Sequence, residues 1–333
     1  MDTEALAGRI TAGDRRALAR AITLVESRRP DHRADAAALL DRLAGTGREA
    51  LRLGLSGAPG VGKSTFIEAF GMMLTERGLR VAVLAVDPSS SRSGGSILGD
   101  KTRMERLARA PGAFIRPSPS QTHLGGVAQR TREAVALCEA AGFDLVLIET
   151  VGVGQSETVV AELSDVFVLL LAPGGGDELQ GVKRGIMEAA DVILINKADG
   201  AMREAAMRTR SDYAGALRLL RRRPQDPDDF PKALCVSAAE ESGLTEAWAE
   251  ITALAEWRRE HGHWQARRAA QARHWFEEAV REGLLARLTA DPDTRARLET
   301  LGAQVEAGRA SPAAAAARAL ALLEPAPPGA EDG

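Results

Sequence analysis

One short string constrains this chain more than any other feature: residues 57–64 fit the GxxxxGKS pattern of a phosphate-binding loop. An apolar run at 51–55 precedes the string, and a helix-compatible run at 65–77 follows it. In a strand–loop–helix unit, glycines let backbone N–H groups turn inward on a phosphate, and the helix dipole adds positive potential. The full spacing in this context favours a nucleoside triphosphate site over a glycine-rich turn without a ligand. The predicted phosphate contacts are Gly57, Ala58, Pro59, Gly60, Val61, Gly62, Lys63, Ser64 and Thr65.

Two side chains of this loop carry predicted chemistry. The motif assigns Lys63 to the β- and γ-phosphates and the Ser64 hydroxyl to Mg²⁺. A lysine acts there as a point charge against phosphate. We therefore expect Lys63 to contribute to catalysis as well as to binding.

A second motif predicts which base the nucleotide carries. A buried-strand pattern at 192–195 ends in Asn196, Lys197, Ala198 and Asp199, which is the NKxD string. The Asp199 carboxylate can accept from the ring N–H and the exocyclic amine of guanine, a pairing that adenine cannot offer, while the Lys197 stem packs along the base. An ordinary polar loop is the alternative, since short motifs also occur by chance.

A third motif supports the second. The apolar run 233–236 ends in Ser237 and Ala238, which match the SA motif, whose backbone N–H faces guanine O6. The two motifs occur in this order downstream of a phosphate loop, so together they predict GTP.

Composition narrows the class of protein. The chain has 333 residues and a net charge of -3, with no basic stripe of the kind that nucleic-acid binding requires. The Arg221–Arg223 triplet is followed closely by acidic residues, which favours a solvated loop. Two cysteines give neither a disulfide framework nor a CxxC metal spacing. With no signal peptide and no bilayer-length apolar run, we expect a protein of the cytoplasm, or of an equivalent reducing organelle matrix, that does not engage a membrane.

The pattern along the chain predicts an α/β fold of the P-loop NTPase class: a mostly parallel sheet covered by helices, with helical extensions at both ends. Strand-like runs occur at 51–56, 81–86, 113–116, 144–149, 165–171, 191–196 and 233–236. Apolar strands separated by helices are typical of such a sheet. The predicted divisions are an N-terminal helical extension at 1–50, a GTPase domain at 51–257, a C-terminal helical segment at 258–323 and a disordered tail at 324–333.

The C-terminal segment carries an apolar stripe at helical spacing. Its members are Ala272, Trp275, Phe276, Ala279, Val280, Leu284 and Leu288. The stripe predicts either a self-association surface, and hence a homodimer, or simple packing on the nucleotide domain.

Acidic residues at two strand ends predict the metal site. Asp87 follows the apolar run 81–86, where a carboxylate is placed to orient Mg²⁺ or its waters; a helix cap is the alternative. A further strand delivers Glu149, Thr150, Val151 and Gly152, which is a DxxG motif with Glu in place of Asp. The Gly152 N–H is expected to sense the γ-phosphate, and Glu149 to reach Mg²⁺ through water.

These strings together resemble one family, the methylmalonyl-CoA mutase-associated GTPases of the MeaB/ArgK type. The resemblance covers about 51–240 and rests most specifically on GGSILGDKTRM at 94–104 and ETVGVGQSE at 149–157. It implies a G-protein chaperone that gates adenosylcobalamin loading and protects a cobalamin-dependent acyl-CoA mutase, with GTP hydrolysis as the timer.

The resemblance also implies residue roles. Asp100 joins Asp87 and Glu149 around Mg²⁺, and 94–104 forms a first switch. A further switch, which contacts the mutase, maps onto 174–183. Glycine-rich loops order and disorder easily, so Gln180 and Lys183 of this loop are expected to assist hydrolysis when a partner orders it.

One position departs from small GTPases. Val153 stands directly after the DxxG glycine, where those proteins have a water-positioning glutamine; whether Gln155 takes that role is left open. No arginine finger is identifiable. We therefore expect slow intrinsic hydrolysis that a partner accelerates, by on the order of 10³–10⁵ in comparable systems.

Two other functions share parts of this pattern. A metallochaperone GTPase for metal-centre assembly would use the same nucleotide chemistry, but usually carries a His-rich run, and the five histidines here are dispersed. An ATPase or kinase linked to amino-acid transport is the other alternative, and the NKxD and SA motifs disfavour ATP.

Overall fold

The computed structural model describes residues 2–27, 29–86, 104–116, 124–150, 156–174, 184–220 and 222–322. Its centre is a seven-stranded sheet with the strand order β3-β2-β4-β1-β5-β6-β7, and every pairing in it is parallel. The strands are β1 Leu51–Ser56, β2 Val81–Val86, β3 Ala113–Arg116, β4 Leu145–Thr150, β5 Val166–Leu171, β6 Val192–Ile195 and β7 Lys232–Cys235. The predicted parallel α/β fold is confirmed, and each observed strand end lies within one residue of the predicted end.

Helices connect the strands and extend the chain at both ends. In chain order the described helices are Thr3–Thr11, Arg15–Glu26, Pro30–Ala44, Lys63–Glu76, Glu105–Arg109, Leu124–Ala140, Ser156–Leu163, Arg184–Ala189, Arg203–Arg218, Leu244–Glu260, His263–Ala290, Pro292–Glu306 and Pro312–Ala321. A short 3₁₀ turn at Gly200–Met202 precedes the helix Arg203–Arg218. None of the described helices is long and apolar enough to cross a bilayer.

The core explains why the central strands read as continuous apolar runs. Every residue of β2, β4 and β5 is buried. Helices cover both faces of a parallel sheet, so the residues of a central strand are mostly apolar, and in β4 the polar residues Glu149 and Thr150 stand at the carboxyl end. Side chains such as Phe66 and Phe70 of the helix Lys63–Glu76 pack on one face, with their rings stacked 5.1 Å apart.

The contacts within the chain define two compact units, residues 1–268 and 269–333. Their boundary falls inside the helix His263–Ala290. The first unit includes the N-terminal helices; Arg33 on the helix Pro30–Ala44 binds Glu133 of the helix Leu124–Ala140 at 2.7 and 2.8 Å. The divisions drawn from the sequence at 50, 257 and 323 stay predictions, and the tail 324–333 lies outside the described residues.

In the second unit, the predicted apolar stripe does lie on a helix, His263–Ala290. Phe276 is 68% exposed, and Val280 and Leu284 are also exposed, whereas Leu288 is buried. Self-association through this stripe stays a prediction.

Candidate nucleotide-binding site

The phosphate-loop sequence forms the turn that its glycines permit. The loop leaves β1 at Ser56 and enters the helix Lys63–Glu76. Gly60 and Gly62 have φ values of 85° and 92°, a conformation that favours glycine. A Cβ atom on Gly57 would lie 2.3 Å from the Leu170 carbonyl oxygen, so no side chain fits there. The loop is therefore fixed by close packing on β5 as well as by backbone conformation.

The Lys63 side chain contacts the phosphate loop itself. Its Nζ donates to the Gly57 carbonyl at 2.5 Å and to the Ala58 carbonyl at 3.2 Å. Burial lowers the pKa of Lys63, while the negative charges of Glu149 and Glu157 act to raise it. The ammonium is thus partly desolvated beside acidic groups, a setting in which its attraction to an added anion is stronger than in water.

Asn196 connects the base motif to the phosphate loop. It is buried, at 2% exposure, directly after β6. Its Nδ2 donates to the Val61 carbonyl at 2.9 Å, and its Oδ1 accepts from the Ala238 N–H at 3.1 Å. One side chain therefore links all three motifs that the sequence singled out. Sequence reasoning assigned the SA-motif N–H to guanine O6; here the Ala238 N–H donates to Asn196.

Lys197 makes a second connection to the phosphate loop. Its backbone has a φ of 57°, which is uncommon outside glycine. Its Nζ donates to the Gly60 carbonyl at 2.8 Å. The exposed side chain consequently reaches from the base motif to the loop, and its packing along a base stays a prediction.

Asp199 is held by the SA motif. The Ser237 hydroxyl donates to Asp199 Oδ2 and also accepts from the Glu240 N–H at 3.1 Å. Ser237 and Ser242 exchange backbone hydrogen bonds of 2.9 and 3.0 Å, which close the loop that carries the serine. A hydrogen bond from a fixed hydroxyl orients the carboxylate, so the residue predicted to read guanine does not rotate freely.

Of the residues predicted to bind Mg²⁺, the structure describes two, Glu149 and Ser64. Glu149 lies near the end of β4, in register with Leu55 of β1 and Ala85 of β2, and is 3% exposed. Ser64 lies half-buried in the first turn of the helix Lys63–Glu76. Carboxylate and hydroxyl oxygens are hard donors that suit Mg²⁺. Among the described residues, no cluster of three or more His, Cys, Asp or Glu side chains is arranged to hold a metal ion.

Several predicted site residues lie outside the described part of the chain. They are Asp87, Asp100, Gly152, Gln155, Gln180 and Lys183. Their assignments stay predictions.

Comparison with known proteins identifies the family. The model for the methylmalonyl-CoA mutase-associated GTPase MeaB matches residues 18–293. The chain belongs to the MeaB family. It is accordingly a GTPase, as the family's description and the names of its relatives state.

The relatives of this MeaB-family chain are close over most of its length. A putative GTPase of Caulobacter vibrioides is 53% identical over 97% of this chain and 98% of its own. The GTPase ArgK of Escherichia coli is 51% identical, covering 86% of each chain. The mouse methylmalonic aciduria type A homolog, a mitochondrial protein, is 47% identical over 92% of this chain and 76% of its own. A crystal structure of an LAO/AO transport system kinase matches with a TM-score of 0.74 and 40% identity, over 96% and 97% of the two chains.

The MeaB-family chain also has a polar network that sequence reasoning missed, at the amino ends of the strands. Arg258, 2% exposed, donates to Asp191 at 2.7 Å, to Asp226 at 2.6 and 2.8 Å, and to the Asp165 carbonyl at 2.5 Å. Arg223 binds the same Asp191 oxygen at 2.7 Å. This network ties the helix Leu244–Glu260 to the starts of β5 and β6.

The two carboxylates on Arg258 have opposite pKa shifts. Burial acts to raise the pKa of Asp191, but the charge and hydrogen bonds of Arg258 outweigh it and lower the pKa. For Asp226, burial outweighs Arg258 and the pKa is raised. Asp191 also accepts from the Phe167 N–H at 2.8 Å, a further hydrogen bond that favours its charged form.

A neighbouring arginine extends the network to β1. Arg268 binds Asp165 through two hydrogen bonds of 2.6 and 3.0 Å, and donates to the Ala50 carbonyl at 2.6 Å. Arg52 of β1 binds Glu139 at 2.8 and 2.9 Å. No short motif marks these pairs, because the partners are separated by tens of residues in sequence.

Proposed function

We propose that this GTPase serves as a chaperone of an adenosylcobalamin-dependent acyl-CoA mutase in the cytoplasm, gating cofactor loading and protecting the mutase. The nucleotide-binding part of this proposal rests on one observation: the Asn196 side chain joins the base motif, the phosphate loop and the SA motif. The family description and the name of the mouse relative support the choice of a mutase as the partner.

The proposed chemistry assigns each described residue a task. The loop N–H groups and Lys63 bind the phosphates, and Asp199, oriented by Ser237, reads the base. Ser64 and Glu149 would hold Mg²⁺, with Asp87 and Asp100 as further proposed ligands. When bound, Mg²⁺ neutralises charge that develops on the phosphate oxygens. Lys63 stabilises the same charge from the loop side, because it is a desolvated cation at the loop mouth.

In this proposal, the rate of GTP hydrolysis depends on the partner. We assign Gln180 and Lys183, in the glycine-rich segment 174–183, to transition-state stabilisation only when a mutase orders that segment over the γ-phosphate. Adenosylcobalamin is then bound by the mutase, and this chain contacts it only through the complex.

The test is GTP turnover measured with and without a cobalamin-dependent acyl-CoA mutase. The proposal expects slow basal turnover that the mutase accelerates, and a Lys183→Ala variant that keeps the basal rate while losing most of the acceleration. An equal loss of both rates would assign Lys183 to the resident active site. No acceleration of the parent would reject the chaperone function.

A homodimer formed by the stripe at 272–288 is part of the same proposal. Exposed Phe276 and its neighbours support it, since apolar side chains grouped on one helix commonly mark an interface. Light scattering after size-exclusion chromatography should give a dimer for the parent and a monomer for the variant Trp275→Glu/Phe276→Glu. A parent that is monomeric at micromolar concentration rejects this assignment.

A further inference from the structure

The outer edge of β7 is the feature from which a further function can be inferred. β7 is the last strand of the sheet, and among the described residues it has a strand partner on one side only, β6. Lys232 N donates to the Asp191 carbonyl and Val236 N donates to the Ile195 carbonyl. In a parallel pair the backbone groups of alternate residues face the neighbouring strand, so those of residues 232, 234 and 236 face β6. The N–H and C=O groups of Ala233 therefore point away from the sheet.

A groove lies along this edge. A cavity of about 540 Å³ is bounded on one side by the end of the helix Arg203–Arg218, including Leu217, and on the other by Phe230 and Ala233. A second cavity of about 420 Å³ adjoins it and shares Leu220 and Arg222. Together the cavities offer walls of mixed polar and apolar character beside an open strand edge. Exposed backbone groups next to side-chain pockets are the elements of recognition by strand addition.

Leu219 adds apolar surface at the same place. It is 88% exposed, directly follows the helix Arg203–Arg218 and lines the second cavity. A large, almost fully exposed leucine adds apolar surface to a groove of mixed polarity, and a partner would cover it.

The charges in the groove indicate what kind of segment fits. Lys232 is paired with two carboxylates, Asp229 at 2.6 Å and Glu250 at 2.7 Å, so it offers no free positive charge. Arg222 is paired with Asp228 at 2.9 Å. Arg218 is exposed and has no ion pair within the described part of the chain. Among the described residues that line the groove, Arg218 is thus a cation without a carboxylate partner, and it favours a carboxylate on the segment that binds.

We propose that the edge of β7 and its groove form the docking site for an extended segment of the mutase that carries an acidic residue. The segment adds as a strand to the outer edge of β7, pairs with the backbone of Ala233, and places its carboxylate on Arg218. β7 has four residues, so the paired stretch is about 13 Å long. This inference rests on the proposed function, because it takes the mutase as the partner.

Replacing Ala233 by proline tests the backbone pairing. Proline lacks the N–H, and the N–H of Ala233 is not used in pairing with β6, so Ala233→Pro should leave the sheet intact while blocking strand addition. Binding of the purified mutase to the full chain is measured by interferometry with GDP present. We expect about tenfold weaker binding, with the melting temperature and GDP affinity unchanged.

Replacing arginines on one helix tests the charge. Arg218→Glu should weaken mutase binding by about tenfold or more, because it opposes the carboxylate of the segment. Arg208→Glu is the matched control: Arg208 lies on the same helix, is exposed, and is not part of the groove. Its binding should equal that of the parent.

Hydrogen exchange supplies a measurement that does not depend on a variant. Adding the mutase to the parent should slow exchange in the peptide that covers β7. If the parent binds the mutase and both groove variants bind equally well, with no change of exchange at β7, the docking site is wrong and the proposed function stands. If the parent does not bind the mutase, the proposed function fails, and this inference fails with it.

Discussion

The two ends of the parallel strands are both polar, but they are organised differently. At the carboxyl ends, the side chains of Asn196 and Lys197 bind backbone carbonyls of the phosphate loop at 2.9 and 2.8 Å. At the amino ends, arginines such as Arg258 bind buried carboxylates. In the first arrangement, side chains hold the phosphate loop against the base motif. In the second arrangement, buried arginines and carboxylates pair with one another. The comparison predicts that variants at the two ends will separate function from stability.

The largest effect is expected at the amino ends. Arg258→Ala leaves Asp191 and Asp226 buried without their main cation, and removing one partner of such a pair costs about 3–5 kcal/mol. Urea unfolding should show this loss, while the GDP affinity of the folded fraction stays unchanged.

Arg208→Ala is the matched control for that variant. Arg208 pairs with Glu204 on an exposed helix surface, where such pairs contribute about 0–1 kcal/mol. A similar loss of stability for the two variants would contradict the assignment of the buried network.

Asn196→Ala is expected to have the next largest effect, and it should lower GDP affinity as well as stability. It leaves the Val61 carbonyl and the Ala238 N–H without their partner, at about 1–3 kcal/mol for each buried group. Because both groups belong to nucleotide motifs, GDP affinity should fall along with stability. Isothermal titration gives the affinity, and unchanged affinity would mean that the link through Asn196 is only structural.

Lys197→Met should have a smaller effect of the same kind. Methionine keeps most of the apolar stem and removes the ammonium that donates to the Gly60 carbonyl. An exposed hydrogen bond of this type contributes about 1 kcal/mol to holding the two motifs together, so the free energy of unfolding should fall by at most about that amount. Because the bond also positions the phosphate loop, GDP should bind up to roughly fivefold more weakly. A much larger loss of stability would count against this role.

The smallest expected effect is a pH dependence of the unfolding free energy, which arises from Asp191 at the amino end of β6. The pKa of Asp191 in the folded chain lies below its ordinary value of 3.8, because Arg258 outweighs burial. A lowered carboxyl pKa stabilises the fold above the unfolded pKa, and this contribution is lost as the pH falls through the folded value.

A comparison of the parent with Asp191→Asn measures that dependence. Urea unfolding between pH 7 and pH 3 should give a difference in unfolding free energy that is constant at neutral pH and shrinks below about pH 4. A difference that stays constant down to pH 3 would show that the carboxylate charge of Asp191 is not the source.

The same comparison explains what the sequence could predict. The strands were located within one residue because most of their residues are apolar, and some, such as Val166–Leu171, are continuous apolar runs. The three nucleotide motifs were found because each occupies consecutive positions. The Arg258 network was not found from the sequence, because Arg258 and Asp191 are 67 positions apart and neither belongs to a spacing pattern. Contacts such as Lys197 to Gly60, 137 positions apart, likewise required the fold.

The central claim is that the carboxyl ends of the strands hold a guanine nucleotide that Asp199 recognises. The most direct measurement is isothermal titration with Mg²⁺, using GTP and ATP on the parent and GTP and XTP on Asp199→Asn. The parent should bind GTP in about the micromolar range or tighter and ATP at least about 100-fold more weakly. The variant should prefer XTP, because an amide can donate to the carbonyl that xanthine has in place of the guanine amine. Equal affinity of the parent for ATP and GTP, or an unchanged preference in the variant, would contradict the account.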